Sequence, residues 1–160
     1  MQTSDYDRGK AAEVRFASEH LTDVSWATKE QDINEHWDVQ GRRNNGNLYK
    51  YDVKAIRKIN RSDSDFTDDM TWVEGTNVRG GRGWVKGDAD YIAFERKHEW
   101  LLIPRDILYD WVLSMLNGTK GKGLYSVYSR LNRPDKITLI KYEDIPEFYL
   151  TRLPKKLKDQ

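Results

Sequence analysis

The sequence predicts an α/β protein, and three features predict it. Apolar residues recur at three- and four-residue spacing over 9–21 and 104–117, the period of amphipathic helices. Between and after them run short segments that alternate apolar and polar residues, the period of half-buried strands. Segment 99–104 (Glu-Trp-Leu-Leu-Ile-Pro) is instead continuously apolar, which predicts a strand covered on both faces, the mark of a sheet with helices on it. At 160 residues the length suits one domain, with a core over about 9–117 and late strands and a basic tail over 118–160.

Composition narrows the classes. Basic and acidic residues nearly balance, 27 against 26, so only local clustering could favour nucleic acid. The chain has no cysteine, which excludes disulfides, thiolate zinc sites, iron–sulfur clusters and cysteine nucleophiles, and it suits a reducing cytoplasm. No apolar run approaches the roughly 20 residues of a membrane span, and the first residues lack an apolar signal segment. The expectation is a soluble cytoplasmic protein with no membrane partner.

In chain order, residues 1–8 are polar and read as a frayed end. In the first helix, Ala12, Phe16, Ala17, His20 and Leu21 form the apolar face, and Glu13 sits on or beside it. A short strand over 23–28 follows, then a hairpin: 32–40, a polar loop over 41–47, and 48–56. Alternation puts Asp52 and Lys54 on one face of the second arm, opposite to Tyr51 and Val53, and turns Asp38 away from Trp37 and Val39. Segment 62–69 is an acidic, serine-rich loop without the spacing or terminal glutamate of an EF-hand. A strand over 71–78 leads through the turn 79–83 into a return strand that starts at 84–86. Strands over 88–94 and 99–104, the second helix, and late strands over 124–129 and 136–141 complete the chain. Residues 118–124 imitate a phosphate loop, but Leu124 stands where lysine and a hydroxyl residue should follow. The tail 155–158 reads as exposed.

The chemistry concentrates in Glu13, Asp38, Asp52 and Lys54. Two carboxylates and an ammonium on facing arms of a hairpin cost solvation and repulsion unless a divalent cation uses them. All the donors are hard oxygens, which suit Mg²⁺ or Mn²⁺ rather than zinc. Asp38 and Asp52, the Val53 carbonyl and Glu13 would hold the ion, and Lys54 would orient a water or meet transition-state charge. The bland alternative is an exposed Asp52–Lys54 ion pair with Asp38 beside it, worth about 0–1 kcal/mol. His36, two residues before Asp38, is the one histidine placed to assist, and Glu74, Asn77 and Lys86 could line the same cleft. Arg42, Arg43, Arg57, Lys58, Arg61, Arg79 and Arg82 are the candidates for phosphate contact, which would be salt-sensitive and largely blind to sequence.

An acidic helix, then a strand meander carrying Asp38 and, one hairpin later, Asp52-Val53-Lys54, resembles the PD-(D/E)XK nuclease superfamily. The Gly9 to Glu13 helix start is similar to its small Holliday-junction-resolvase-like branch. The likeness covers about the first 56 residues. Trp37 stands before Asp38 where the motif's name has proline, and Asp32 is the alternative first aspartate. The resemblance implies a restriction-endonuclease-like αβββαβ core with a mixed sheet, Mg²⁺-dependent endonuclease or exonuclease cleavage of DNA, and a possible homodimer. With no appended recognition domain in view, cleavage would be non-specific or structure-specific. The alternative is an inactive nuclease-fold module that binds nucleic acid or a partner protein.

Overall fold

The computed structural model describes residues 4–58, 63, 67–77 and 80–156. The protein is α/β, built on a mixed six-stranded sheet with three helices. Helix α1 (Asp5–His20) starts earlier than the apolar period suggested. The Ser4 side chain caps it by accepting from the Asp7 N–H, and Asp5 and Asp7 sit at the positive end of the helix dipole. The polar stretch read as frayed is therefore, from Ser4 onward, a capped first turn.

Strand β1 (Thr22–Trp26) is a sheet edge. Between it and the hairpin the chain forms a short helix, α2 (Lys29–Glu35), where the sequence predicted extended chain. Thr28 and Gln31 close a capping box at its start, and His36 ends it in the left-handed conformation at φ 58°. Strands β2 (Val39–Arg42) and β3 (Leu48–Lys54) are the hairpin proper, in antiparallel register with Val39 opposite Tyr51. Strand β3 then pairs in parallel with β5 (Tyr91–Glu95). The sheet is completed by antiparallel β6 (Glu99–Pro104) and β8 (Thr151–Pro154), giving the order β1-β2-β3-β5-β6-β8.

The crossover from β3 to β5 carries β4 (Met70–Thr76), which leaves the main sheet and pairs antiparallel with β7 (Lys136–Lys141) in a two-stranded ribbon. The expected return strand at 84–86 is a single 3-10 turn that buries Trp84 and Val85, and Thr76 bridges back to Arg82 just before it. The expected strand 124–129 is irregular as well: its backbone pairs with β7 through isolated bridges at Leu124 and Tyr128, and Tyr125 turns at φ 59°.

Both faces of the sheet are covered. Ala12, Phe16 and Ala17 of α1 pack on Val39, Tyr51, Val53, Trp100 and Leu102. On the other face Ile92, Phe94, Leu101 and Ile103 meet Trp37, Trp84 and helix α3 (Arg105–Met115), which buries Leu108, Trp111 and Val112. The continuous apolar run of β6 divides as predicted, with alternate residues feeding opposite cores. Among the described residues no helix is long and apolar enough to cross a membrane.

Glu95, at the end of β5, ties three parts of the chain together. Only 2% exposed, it accepts from the Arg15 guanidinium of α1 at 2.5 Å, from Lys155 at 2.9 Å and from the Ile56 N–H at 3.1 Å. Lys155, expected in an exposed tail, is thus folded back beyond β8. Burial alone would raise the Glu95 pKa, but Lys155, Arg15 and the Ile56 N–H outweigh it and hold the carboxyl below its ordinary value. A depressed folded-state pKa contributes stability above the unfolded value near 4.3, lost as pH falls through the folded value. Replacing Glu95 with Ala should destabilise the fold by about 3 kcal/mol, because two cations lose a buried partner. It should also flatten the acid limb of stability below pH 4.5, as measured by urea unfolding across pH.

Candidate metal centre and cleft

Strand β3 outruns β2. Their ladder ends at Val39–Tyr51, so residues 52–54 extend past the start of β2 and the sheet opens into a fork. A backbone N–H left there needs an acceptor. The Asp38 carboxylate supplies it, accepting from the Val53 N–H at 2.7 Å through Oδ2. Asp38 is itself held at both ends of its backbone. Its N–H donates to the Tyr51 carbonyl, and its carbonyl accepts from the Ala27 N–H, each at 2.9 Å.

The next step outward in the β2–β3 register places Asp38 across from Asp52. Asp52 is 3% exposed, and its Oδ1 receives the Lys54 ammonium at 3.1 Å. Its Oδ2 is buried without a hydrogen-bond partner. Lys54 also lies over the Trp84 ring, 4.5 Å from the centroid. Asp52 and Lys54 do share a face, as alternation predicted, since they pair with Ile92 and Phe94. Trp37 does not follow the alternation: it packs with Ile92 and Phe94 while Val39 packs with α1. The left-handed His36 breaks the extended chain before Trp37, so strand geometry begins only after it.

Glu13 comes from α1, on the apolar stripe, and is 8% exposed. Lys10 approaches it at 3.5 Å. Burial raises the Glu13 pKa, Lys10 opposes that, and the charges of Asp32 and Asp52 add to it. The same forces act more strongly on Asp38. Its burial, then the neighbouring Asp52 charge, push its pKa up to about 9 against the pull of Lys54. Asp32, the alternative first aspartate, lies on exposed α2 and lines the cleft without facing Asp52 across a ladder.

Fork and ribbon enclose an open cleft of about 1660 Å³. Glu13, Asp38, Asp52, Lys54 and His36 line it together with Arg57, Lys58, Trp72, Glu74, Lys122, Tyr128 and Arg130. Glu74 sits deep enough that burial raises its pKa, while Lys54, His36 and Arg130 restrain the shift. Of the arginines and lysines singled out in the sequence, Arg57 and Lys58 are in the cleft. Arg42 pairs with Asp23, and Arg43 donates to the Tyr51 hydroxyl; Arg42 ends β2 and Arg43 opens the hairpin loop, at the far end of β3 from the cleft, and neither lines it. Arg82 is held by both oxygens of Asp88 and by the Asn34 and Lys86 carbonyls. Asn77 accepts from the Gly81 N–H in the turn, and Lys86 lies over Tyr109. Arg61 and Arg79 lie outside the described residues.

Sequence reasoning missed Lys122, Tyr128 and Arg130, which reach the cleft only through the pairing of their segment with β7. Nothing in their local spacing signals that pairing. Arg130 is fixed by Asp135, which is fully buried and accepts from its Nε at 2.7 Å.

Among the described residues no three histidine, aspartate or glutamate side chains gather into a ready-made metal cage. Magnesium does not require one, since it is commonly held by one or two carboxylates, with waters and substrate phosphate completing the octahedron. The donors present fit that pattern. Asp38 and Asp52 face each other, one Asp52 oxygen is buried and unpartnered, and the Val53 carbonyl points to the same strand edge as its N–H. Comparison of the chain with family models, with curated proteins and with solved structures gave no match.

The Asp38 shift makes a pH prediction. Between about pH 4, where an unfolded aspartate ionises, and about pH 9, the native state binds the extra proton, so stability falls as pH rises. In the metal-free protein the melting temperature should fall between pH 6 and pH 8.5. Asp38→Asn, which can keep the bond to the Val53 N–H, should raise the melting temperature at pH 8.5 by a few degrees and flatten that slope. An unchanged slope in scanning calorimetry would show that Asp38 ionises normally.

Proposed function

We propose that the protein is a Mg²⁺- or Mn²⁺-dependent nuclease that hydrolyses phosphodiester bonds of DNA, with a restriction-endonuclease-like core. The observation that carries this reading is the buried, unpartnered Asp52 Oδ2 beside the Asp38 carboxylate. An ion pair on an exposed face would leave no such oxygen, and two carboxylates brought together in a protein interior are compensated best by a cation.

Asp38, Asp52, Glu13 and the Val53 carbonyl would hold the ion. Bound there, it supplies charge neutralisation at the scissile phosphate and lowers the pKa of an attacking water. The residues of this chain do the rest. Lys54, held between Asp52 and the Trp84 ring, places an ammonium beside the carboxylates, suited to orient the water or to meet charge developing on phosphate oxygens. Glu13 combines burial with neighbouring negative charge, so it takes up a proton more readily than an ordinary glutamate and is suited to accept one from the water. Arg57, Lys58, Lys122 and Arg130 provide phosphate contacts along the cleft. The cleft exceeds the roughly 300–1,000 Å³ of small-ligand pockets, which favours a polymer as substrate. A cytoplasmic protein that acts on DNA, alone or as a homodimer, is consistent with this assignment.

The test is incubation with plasmid, linear duplex and single-stranded DNA in Mg²⁺, in Mn²⁺ and in EDTA. Cleavage should require the metal. Asp52→Asn should abolish it with the fold intact, and Lys54→Ala should slow it by about a hundred- to a thousandfold, the typical effect of removing one transition-state donor. Failure of the wild-type protein to cleave any of these DNAs in either metal would overturn the assignment.

A further inference from the structure

The ribbon side of the cleft carries aromatic surface that the hydrolytic chemistry does not use. Trp72 of β4 and Tyr128 both line the cleft and are only half-buried, with ring centroids 5.9 Å apart and planes 34° from parallel. Backbone pairing sets their place on the ribbon side. The Tyr128 N–H donates to the Ile137 carbonyl at 2.8 Å and its carbonyl accepts from the Ile137 N–H at 2.9 Å, while Trp72 lies opposite Leu139 in the β4–β7 ladder. Cations flank the pair. The Lys122 ammonium is 5.3 Å from the Tyr128 ring centroid, and Arg130 is gripped through Nε by the fully buried Asp135.

A core aromatic would be covered, whereas these two keep surface in the cleft, on the side where Lys122 and Arg130 lie. Such a combination is what a single-stranded nucleic acid needs: π-faces for bases and cations for phosphates. A base-paired duplex offers the wall only its phosphates and groove edges, because its bases are stacked inside. Lys122 stands between Gly121 and Gly123 on an exposed turn, so its ammonium can leave the ring for a phosphate when a base arrives.

We infer that Trp72 and Tyr128 form a stacking subsite for an unpaired nucleotide, so that the strand presented to the carboxylates is single-stranded or frayed. This rests on the nuclease assignment and names its substrate class; it follows from the juxtaposition of the aromatic pair, Lys122 and Arg130 in the same cleft as Asp38 and Asp52.

The experiment measures binding apart from cleavage. Fluorescence anisotropy in EDTA, at one fixed salt concentration, compares a labelled single-stranded oligonucleotide with the blunt duplex of the same sequence, in deoxy and ribo forms. The wild-type protein should bind one or both single strands about tenfold more tightly than the duplex. Tyr128→Leu keeps the bulk against Trp72 but removes the π-face, and should lose about tenfold on the single strand, the worth of one stacked base, with duplex affinity unchanged. Tyr128→Phe should bind as the wild type does. The exposed Lys122→Glu, which cannot disturb the core, should weaken the single-strand complex and reduce its salt dependence. Equal affinity of the wild type for single strand and duplex would overturn the subsite, as would wild-type single-strand binding by both Tyr128→Leu and Lys122→Glu. Metal-dependent cleavage without single-strand preference overturns the subsite and leaves the nuclease. Single-strand preference without cleavage does the reverse.

Discussion

One hydrogen bond from a backbone N–H to a side-chain carboxylate sets the terms for the rest of the structure. Because β3 continues past the first residue of β2, the Val53 N–H faces an opening rather than a neighbouring strand. The Asp38 carboxylate fills that role. A water or a serine could have satisfied the same donor at less electrostatic cost. Using an aspartate brings a second carboxylate against Asp52, and the conflict shows in the direction of the Asp38 pKa. Asp38 cannot relax away, since its backbone is bonded on both sides and the chain before it is pinned. Asp88 donates its N–H to the Glu35 carbonyl at the end of α2, and a Cβ on Gly87 would come within 2.6 Å of His36 Cβ. The segment that delivers Asp38 is therefore wedged in place.

The third carboxylate depends on a different set of forces. Glu13 contacts Lys10 at 3.5 Å, but Lys10 is half-exposed and such a pair contributes little, about 0–1 kcal/mol. What fixes α1 against β3 is packing. Phe16 lies 5.3 Å from the Tyr51 ring and 5.2 Å from Trp100, centroid to centroid, and all three are fully buried. Glu95 adds a polar clamp to the same pair of elements, joining Arg15 of α1 to the Ile56 N–H just beyond β3. Aromatic burial is worth several times the Lys10 contact, so the spacing between Glu13 and Asp52 is a property of the core. Local surface charge merely adjusts the proton affinity of Glu13 once it is there.

How much of this was legible in the sequence follows from the range of each interaction. Asp52 and Lys54 were readable because strand alternation is local, and Glu13 because helical periodicity is. The double cover of β6 was readable from its unbroken apolar run. Helix α2 was missed because its seven residues bury none of their side chains and show no apolar period, although Thr28 and Gln31 spell a capping box. Taking 84–86 as a strand failed for a related reason: a Trp-Val pair in three residues cannot distinguish one helical turn from two strand positions. The β4–β7 ribbon was hidden more deeply. It joins residues about 65 apart in sequence, and only that pairing brings Tyr128 and Arg130 to Asp52. Arg42, Arg43 and Arg82 looked available because sequence displays charge but not its partner, and each has one.

The near-neutral charge of the chain bears on how the cleft must work. With a net charge of +1, long-range attraction toward a polyanion is weak, and beyond roughly 8–10 Å salt screens what remains. The cleft itself mixes signs, because the carboxylates of the fork face the basic residues toward the ribbon. A phosphate chain entering at random meets the acidic fork as readily as it meets Arg57 and Arg130. If the cleft takes a nucleic-acid strand as proposed, affinity would have to come from short-range contact on the ribbon side, with a cation offsetting the fork. The division follows the chain: hairpin and α1 carry the clustered carboxylates, and the crossover and late segments carry the basic and aromatic surface of the cleft.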